Sequence, residues 1–296
     1  MYDIIIVGAG PAGLTAALFA LRANKKVLIL EAKSYGGQIL NANKIENYPG
    51  IDNISGFEFA TNLYNQVKKF GCEIKIETVE RITENKEVIT NKDKYSAKAV
   101  IIATGSENRK LRIENELEYI GKGISYCATC DGNFYKNKIV AVVGGGDNAV
   151  EDAIYLSDIA SKVYLIHRRE EFTCEEKYIN ELNMKNNVEK IMNANVSKII
   201  GDQVLKQIEI ITNDNETKVL DIDGLFVAVG REPKNEAFAN VASLNNLGYI
   251  VSNDGVHTNI DGIYVAGDAR EKVLRQLTTA VSDGSLAATI AIKEMK

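Results

Sequence analysis

Residues 3–14 read Asp3-Ile4-Ile5-Ile6-Val7-Gly8-Ala9-Gly10-Pro11-Ala12-Gly13-Leu14. The apolar run before Gly8 is typical of a buried β-strand, and the Ala/Leu-rich run from Leu14 to about Ala23 is typical of a helix. Gly8 permits a tight turn between them, and Gly13 lets the helix pack closely on the strand. A second strand is predicted at Lys26–Leu30. The stretch therefore predicts a parallel strand–helix–strand unit.

A second copy of this pattern begins near the middle of the chain. The strand Lys138–Val143 is followed by the turn Gly144-Gly145-Gly146-Asp147-Asn148-Ala149, a helix from about Val150 to Ile159 and a strand at Lys162–Ile166. Apolar strands that close on a glycine recur at 99–105, 224–230 and 262–268. Because alternating strands and helices build doubly wound parallel sheets, the predicted fold class is α/β, with two Rossmann-like domains.

Both glycine turns predict dinucleotide binding. Gly10 lets the backbone approach a pyrophosphate, which then meets the N–H groups at the start of the helix. Glu31 and His167 lie at the same offset from the first glycine of their respective turns. A carboxylate such as Glu31 accepts hydrogen bonds from ribose hydroxyls, whereas the basic run His167-Arg168-Arg169 suits a 2′-phosphate. The first turn thus favours a free ribose 2′-OH, and the second favours NADPH.

The domain boundaries follow from the order of these motifs. The second nucleotide domain is predicted at residues 111–233, as an insertion into the first. The first domain is then made of residues 1–110 and 234–296, which brings the third glycine-closed strand back to the first motif. Sequence patterns locate such boundaries to within several residues.

Two cysteines, in Cys127-Ala128-Thr129-Cys130, precede Asp131. Zinc needs further ligand pairs, but the chain has no second C-x-x-C and contains only two histidines. A staple across so short a loop would constrain the unfolded chain by only about 2 kcal/mol. These counts favour redox use, in which Asp131 could donate or accept the proton as thiol and thiolate interchange. Cys72 and Cys174 stand alone and are predicted to be inert thiols.

Composition predicts an ordinary globular protein. The 296 residues are 45% hydrophobic and 25% charged, with a net charge of −5. Both signs of charge are spread along the chain, so nothing indicates binding to nucleic acid or to an anionic membrane. The start Met1-Tyr2-Asp3 shows no basic leader, and no apolar stretch is long enough to span a bilayer. A cytoplasmic location is therefore expected, where disulfides tend to be catalytic.

Taken together, these motifs resemble the low-molecular-weight, bacterial-type thioredoxin reductases over essentially the whole chain. The matching motifs are Gly8 to Gly13, Gly36-Gly37-Gln38, Glu46-Asn47-Tyr48-Pro49-Gly50, Ala103-Thr104-Gly105, Cys127 to Gly132, Gly144 to Ala149, His167-Arg168-Arg169, Ala266-Gly267-Asp268 and Arg275-Gln276. Each motif alone is weak, but the ordered set is highly specific.

The resemblance implies an FAD domain interrupted by an NADPH domain that carries the cysteine pair. Electrons pass from NADPH to FAD, then to the pair, and finally to the disulfide of thioredoxin. By this resemblance Cys130 is the flavin-side sulfur and the nucleophile toward thioredoxin, Cys127 is its partner, and Asp131 is the acid/base. The sequence alone does not separate the two sulfurs. The family alternates two domain orientations, with hinges implied near 105–110 and 230–233.

The resemblance also implies the binding residues. Those for FAD are Gly8, Gly10, Pro11, Ala12, Gly13, Glu31, Gly37, Gln38, Asn47, Ala103, Thr104, Gly105, Gly267, Asp268, Arg275 and Gln276. Those for NADPH are Gly144, Gly146, Asp147, Asn148, Ala149, His167, Arg168 and Arg169. Contacts with thioredoxin are implied for Lys122, Phe134 and Tyr135, with ordinary packing as the equal alternative. A homodimer is implied, and no metal is expected.

One position departs from the family pattern. The family usually carries a third arginine four residues beyond the arginine pair, where this chain has Thr173. The change predicts a reduced preference for NADPH over NADH. Three alternatives stay open: a related flavoprotein disulfide reductase with another protein substrate, one with NADH or ferredoxin as electron donor, and a flavin redox sensor without turnover.

Overall fold

The computed structural model describes residues 1–42, 45–252 and 255–295. The chain divides into two compact units: unit 1 is Met1–Glu107 with Glu232–Lys296, and unit 2 is Asn108–Arg231. These divisions lie a few residues from the predicted boundaries at 110/111 and 233/234. The assignment of one cofactor to each unit stays a prediction.

The strands are, in chain order, β1 Tyr2–Val7, β2 Val27–Glu31, β3 Glu73–Ile76, β4 Val79–Ile82, β5 Glu87–Thr90, β6 Lys94–Ile102, β7 Glu107–Asn108, β8 Ile124–Ser125, β9 Ile139–Val143, β10 Lys162–Ile166, β11 Val188–Ile191, β12 Ala194–Gly201, β13 Leu205–Thr212, β14 Thr217–Asp221, β15 Gly224–Val227, β16 Arg231–Glu232 and β17 Ile263–Val265. The helices are α1 Pro11–Arg22, α2 Gly56–Lys69, α3 Ala128–Asp131, α4 Asp147–Ser157, α5 Glu176–Asn183 and α6 Leu277–Glu294.

Unit 1 is built on a mixed sheet in the order β3-β2-β1-β6-β5-β4, with β17 paired to β6. The pairs of β1 with β2, β1 with β6, β2 with β3 and β17 with β6 are parallel, whereas β4, β5 and β6 form an antiparallel meander. Ile4 and Ile5 are fully buried and lie in two different apolar clusters, because successive side chains point to opposite faces of the sheet. A strand covered on both faces is what the apolar run before Gly8 predicts.

Unit 2 repeats the arrangement with a smaller parallel sheet, in the order β11-β10-β9-β15-β8. An antiparallel sheet β12-β13-β14 packs its apolar side chains into the same cluster as β9 and β15. The other face of the parallel sheet carries α4, whose residues Ala149, Val150 and Ala153 are completely buried. Strands β7 and β16, at the two chain crossovers, pair as a two-stranded sheet.

Both helices of the glycine motifs begin earlier than the sequence pattern predicts. Helix α1 starts at Pro11 instead of Leu14, and α4 starts at Asp147 instead of Val150. Proline is favoured at the first helical position because the N–H that it lacks would have no helical partner there. The glycine turns therefore lead directly into the helix N-termini. The antiparallel strands β4, β5 and β12–β14 were not predicted.

Across the described ranges, the structure contains no helix with the length and apolar character required to cross a bilayer.

Candidate functional site

The first glycine turn joins β1 to α1, and its side that faces the sheet has no space for side chains. Gly8 has φ +107°, and a Cβ there would overlap the carbonyl oxygen of Ala103. A Cβ on Gly13 would overlap the carbonyl oxygen of Gly8. Gly10 differs, because no described atom lies within 4 Å of the position that its Cβ would take. The outer side of the turn is thus an open cradle beside the N-terminus of α1, which no described side chain caps.

Other predicted FAD residues border the same turn. The amide of Ala9 donates to Glu31 Oε2 at 2.7 Å, and its carbonyl accepts from the amide of Gly36 at 2.8 Å. A Cβ on Gly37 would lie 3.2 Å from Gly10 Cα, so the Gly36–Gln38 segment runs against the cradle. Gln38 lies in the 3₁₀ turn Gly37–Asn41. The fold thus brings these segments together from separate parts of the sequence.

The C-terminal glycine motif packs against the start of α1. A Cβ on Gly267, which has φ +73°, would lie 2.8 Å from the Cβ of Ala12. The amide of Gly267 donates to Asp283 at 3.1 Å, and Asp268 pairs with Lys272 at 3.3 Å. Strand β17 ends just before this motif, as β1 ends before the first turn and β6 before Ala103. Ligands in open α/β sheets bind at such carboxyl ends of strands.

A buried asparagine that the sequence did not reveal supports the Ala103–Gly105 segment. Asn235 is 0% exposed, and its Oδ1 accepts from the hydroxyl of Thr104 at 3.1 Å. Its Nδ2 donates to the carbonyls of Gly248 at 3.0 Å and Ala269 at 2.9 Å. A satisfied buried amide of this kind fixes the loops that it joins. Isolated asparagines carry no motif, so only the fold identifies it.

The remaining predicted FAD residues form a second grouping in unit 1. Asn47 Nδ2 donates to Gln276 Oε1 at 3.3 Å, although the two lie far apart in sequence. Gln276 is also the N-cap of α6 and forms a capping box with Thr279. The guanidinium of Arg275 lies 4.0 Å from the ring centroid of Tyr249, a cation–π distance. The structure thus holds these side chains in defined positions on the surface of unit 1.

These features of unit 1 fit a bound dinucleotide. The cradle at Gly10 is open, Glu31 borders it, and the helix behind it presents the end that attracts phosphate. A cap from a nearby side chain would have blocked this position, and the described residues provide none. The residues present therefore fit FAD.

The second glycine turn has the same design in unit 2. Gly144 has φ +153°, and a Cβ there would overlap the carbonyl oxygen of Ala228. Gly146 is the N-cap of α4, again with no cap from a described side chain. Asp147 Oδ1 accepts from the amide of Glu175 at 2.8 Å, and Asn148 is exposed. The turn is thus braced on its inner side, and a Cβ on Gly146 would meet only Thr173 Oγ1, at 3.8 Å. The uncapped start of α4 therefore fits a second dinucleotide.

The residues of the basic run after β10 differ in burial: His167 is buried, whereas Arg168 and Arg169 are exposed. His167 is 7% exposed, and its ring occupies the space where a Cβ on Gly145 would lie. It stacks on Phe172 at 5.5 Å between centroids, and burial lowers its pKa. Within the described part of the chain, Nε2 has no hydrogen-bond partner. Arg168 and Arg169 are exposed and supply the positive charge. Contact between His167 and the coenzyme stays a prediction.

The hydroxyl of Thr173 forms a hydrogen bond to the second glycine turn. Its amide and its Oγ1 both donate to the carbonyl of Gly145, at 2.7 and 3.2 Å. The residue that replaces the family's third arginine therefore has a structural contact in this chain. Positive charge for a 2′-phosphate is limited, among the residues of this run, to the two exposed arginines.

The cysteine pair forms a disulfide at the start of the short helix α3. The Cα atoms of Cys127 and Cys130 are 5.3 Å apart, and both residues are half-buried. The amide of Asp131 donates to the carbonyl of Cys127 at 3.1 Å, which closes the segment. Burial raises the pKa of the Asp131 carboxyl, and a hydrogen bond from Ser125 at 2.7 Å opposes that shift. A carboxyl group with a raised pKa is suited to exchange protons with nearby thiols.

The surroundings of the disulfide differ in exposure. Phe134 is 50% exposed in the 3₁₀ turn after α3, and Lys122 is also exposed. Tyr135 is half-buried and packs edge-on against Phe226 at 5.2 Å, so it is in part a core residue. Whether any of the three contacts a protein partner stays a prediction.

The other two cysteines, Cys72 and Cys174, are free thiols. Cys72 is 2% exposed, and burial raises its pKa to about 12. Burial also raises the pKa of Cys174. Thiols are nucleophilic only as thiolates, so both groups are poorly reactive at neutral pH. In the residues that can be described, no group of three or more His, Cys, Asp or Glu is arranged to hold a metal ion.

Comparisons with known proteins agree with this arrangement. The sequence profile of the family described as Pyridine nucleotide-disulphide oxidoreductase matches residues 2–284. A thioredoxin reductase of Listeria monocytogenes is 41% identical over 99% of this chain and 93% of its own length. One of Bacillus subtilis is 40% identical over 97% of this chain and 93% of its own length. The crystal structure of thioredoxin reductase from Streptococcus pyogenes superposes with a TM-score of 0.91 at 39% identity, covering 99% of this chain and 98% of that one.

Proposed function

We infer the function of this chain from one premise: it belongs to the pyridine nucleotide-disulphide oxidoreductase family. We propose that it is a thioredoxin-disulfide reductase, which passes electrons from NADPH through FAD and the Cys127–Cys130 pair to oxidised thioredoxin. The observation that carries the proposal is the Cys127–Cys130 disulfide, half-buried beside Asp131, in the same unit as a second dinucleotide turn. Full-length similarity to proteins named thioredoxin reductase supports the substrate.

FAD is assigned to unit 1 in this proposal. The cradle over Gly10 would take the pyrophosphate, and Glu31 would accept hydrogen bonds from a ribose hydroxyl. The segments that converge on the cradle, Gly37–Gln38, Ala103–Gly105 and Gly267–Asp268, would line the same cofactor. When bound, FAD supplies the two-electron chemistry that links a nicotinamide to a disulfide.

NADPH is assigned to unit 2. The N-terminus of α4 at Gly146 would receive its pyrophosphate, with Asp147, Asn148 and Ala149 in the first turn of the helix. Arg168 and Arg169 would pair with the 2′-phosphate through charge-assisted hydrogen bonds. The buried ring of His167 supports the turn from below, and its Nε2 would be available to a polar group of the coenzyme.

The chemistry at the cysteine pair is thiol–disulfide exchange. A thiolate of the reduced pair attacks one sulfur of the partner disulfide, one S–S bond forms as another breaks, and the leaving sulfur takes up a proton. The second thiol of the pair then attacks the mixed disulfide, which restores Cys127–Cys130. Asp131 would give the proton to the leaving sulfur and later recover one, a role for which its raised pKa is suited.

The proposal extends to partners and location. Lys122 and Phe134 are exposed and flank the cysteine pair in sequence, and they offer a cation and an apolar ring for a docking thioredoxin. Oligomeric state is carried over from the family resemblance as a homodimer, and the location as cytoplasmic. Gel filtration with light scattering tests the homodimer directly.

An insulin-coupled assay tests the function as a whole. Purified protein carrying FAD is expected to oxidise NADPH only when a thioredoxin and insulin are both present, and insulin precipitates as its disulfides are reduced. Flavin that is reduced by NADPH without turnover would identify a redox sensor instead. Turnover with another protein disulfide but with no thioredoxin would identify a related reductase, and the absence of reduction by either nicotinamide would favour ferredoxin.

Replacing either exposed arginine, as R168A or R169A, is expected to lower kcat/KM for NADPH about tenfold while changing that for NADH less than about twofold. The reason is that a lost hydrogen bond to a charged group costs about 1.5–3 kcal/mol. NADH has no 2′-phosphate, so it makes no such bond with these arginines. Steady-state kinetics with both coenzymes measure the ratio. The variant R81A, which removes an exposed arginine from β4 in unit 1, is the control. A wild-type preference for NADH would contradict the assignment.

A further inference from the structure

Ser125 stands between the parallel sheet of unit 2 and the disulfide segment. It ends β8, where it pairs with Phe226 of β15, and it is 5% exposed. Its backbone is therefore fixed by the sheet, and its side chain has little freedom. No motif of the sequence includes it, since it lies two residues before Cys127 and outside the C-x-x-C stretch.

The hydroxyl of Ser125 contacts both ends of the disulfide segment. It donates to Asp131 Oδ2 at 2.7 Å and accepts from the amide of Cys127 at 3.1 Å. The carbonyl of Cys127 lies 3.3 Å away as a second acceptor for the same hydroxyl proton. One hydroxyl carries one proton, so it can serve only one of these two acceptors well at a time.

This choice of acceptor follows the protonation of Asp131. When the carboxyl is ionised, it attracts the hydroxyl proton in a short, charge-assisted bond. When the carboxyl is protonated, it becomes a donor, and Ser125 Oγ can accept from it while turning its own proton to the carbonyl of Cys127. Both states of Asp131 thus find a partner without movement of the backbone.

We propose that Ser125 is a positioning residue for the thiol–disulfide reaction, which holds the Asp131 carboxyl on the disulfide segment and reverses its hydrogen bond when the proton leaves or returns. The inference rests on the proposed function, because it names the group that supports its acid/base. A contact to the reacting sulfurs is not required, since Ser125 acts through Asp131.

The surroundings of Asp131 make this hydrogen bond important. In the described structure its Oδ1 is buried and has no hydrogen-bond partner, so Ser125 is the side chain that stabilises the charge. The pKa of Tyr135 is raised to about 12, mainly by burial and to a smaller extent by the negative charge of Asp131. Helix α4 packs on the segment that carries Asp131, through contact of Tyr155 with Gly132. Asp152 lies one helical turn before Tyr155, and its pKa is raised to about 7, mainly by burial. These acidic and phenolic groups supply no positive charge for the carboxylate.

The proton balance is complete within the exchange reaction. The reduced pair, as one thiolate and one thiol, loses two electrons and one proton, and the partner disulfide gains both and becomes one thiol and one thiolate. Asp131 loses its proton to the leaving sulfur, at which point Ser125 donates to the new carboxylate. Asp131 regains a proton from the remaining thiol of the pair as that thiol closes the disulfide, and Ser125 returns to the carbonyl of Cys127.

The test compares S125A, D131N and the double variant S125A/D131N in the full-length protein with bound FAD. The pair is reduced first, and single-turnover oxidation by thioredoxin is followed from about pH 5 to about pH 9. S125A is expected to be about tenfold slower at neutral pH, with the limb that reports Asp131 displaced to higher pH. The displacement is upward because the variant loses the hydrogen bond that favours the ionised carboxyl. In the D131N background the same substitution is expected to change the rate less than about twofold.

Two further measurements separate this idea from its alternatives. S157A removes another buried hydroxyl in unit 2, one that donates to the carbonyl of Ile154, and a wild-type profile is expected. Alkylation of the reduced cysteines by iodoacetamide needs no protein substrate and is expected to show the same upward displacement in S125A. A wild-type protein that fails with thioredoxin would thus remove the proposed function while this second profile still tests Ser125.

Several outcomes would overturn the proposal. Coincident pH profiles for S125A and wild type would do so, as would rate losses that multiply in the double variant. An equal displacement in S157A would show that any lost hydroxyl has the same effect. If S125A does not fold, S125T keeps the hydroxyl while changing the packing: a wild-type profile is expected, and a displaced one would reject the proposal.

Discussion

The substitution C130S is expected to abolish thioredoxin reduction, by at least about 10³-fold in kcat, while NADPH still bleaches the flavin. A single remaining thiol can form a mixed disulfide with thioredoxin but cannot resolve it, so turnover stops after one event. The proposed flavin and coenzyme sites are built from other segments of the chain, which the substitution does not touch. Flavin absorbance under anaerobic NADPH and the insulin-coupled rate measure the two halves separately.

The matched control for this variant is C72A. Cys72 is a buried thiol in unit 1 with a pKa raised to about 12, so its loss is expected to leave the turnover number unchanged. Mass spectrometry of C130S mixed with oxidised thioredoxin would show whether Cys127 forms the expected mixed disulfide. Retained turnover in C130S would reject the route through the Cys127–Cys130 pair and leave the flavin to reduce its acceptor directly.

The substitution G10A is expected to weaken FAD binding about a hundredfold without destabilising the protein. Gly10 has φ −75°, which alanine adopts without strain, and its Cβ would meet no described protein atom within 4 Å. The new methyl group can therefore collide only with what occupies the cradle. Isothermal titration of the flavin-free protein with FAD measures the affinity, and thermal unfolding of the same sample measures stability.

A contrasting glycine provides the control. Gly71 has φ +76°, and its Cβ would also meet nothing within 4 Å, but it lies beyond the C-terminus of α2, away from the cradle. G71A is expected to lower the free energy of unfolding by about 1 kcal/mol, because alanine is strained at positive φ, and to leave FAD affinity unchanged. G10A is thus expected to lower FAD affinity but not stability, whereas G71A is expected to lower stability but not FAD affinity. FAD affinity that is equal in G10A and wild type would mean that no pyrophosphate lies over Gly10.

The strand–turn–helix units were predictable because their residues interact locally. The apolar strand, the glycines and the helix are consecutive in sequence. The alternation of strands with helices then predicts parallel sheets. The helix starts were predicted too late, since Pro11 and Asp147 look like turn residues until their place at the first helical position is known. The antiparallel strands β4, β5 and β12–β14 were missed because no glycine motif marks them and polar residues interrupt their apolar pattern.

The side chains that support the site were less predictable, for a physical reason. Asn235 and Ser125 act through single hydrogen bonds to groups that only the fold brings near, so no spacing in the sequence marks them. His167 was predicted from its offset, yet its burial beneath Gly145 depends on how closely that turn packs on β10. Offsets along the chain locate the end of a strand, but they do not tell which way the next side chain turns.

The pairing of β17 with β6 has a consequence for biosynthesis. Unit 2 is continuous in sequence, so a ribosome completes it and it can fold while the rest of the chain is still being made. Unit 1 must keep the apolar edge of β6 uncovered until Ile263–Val265 emerges, long after Ile102 has left the ribosome. During that interval an exposed strand edge is open to wrong partners. Nascent unit 1 is therefore the part of this protein with an unpaired strand edge for the longest time during synthesis.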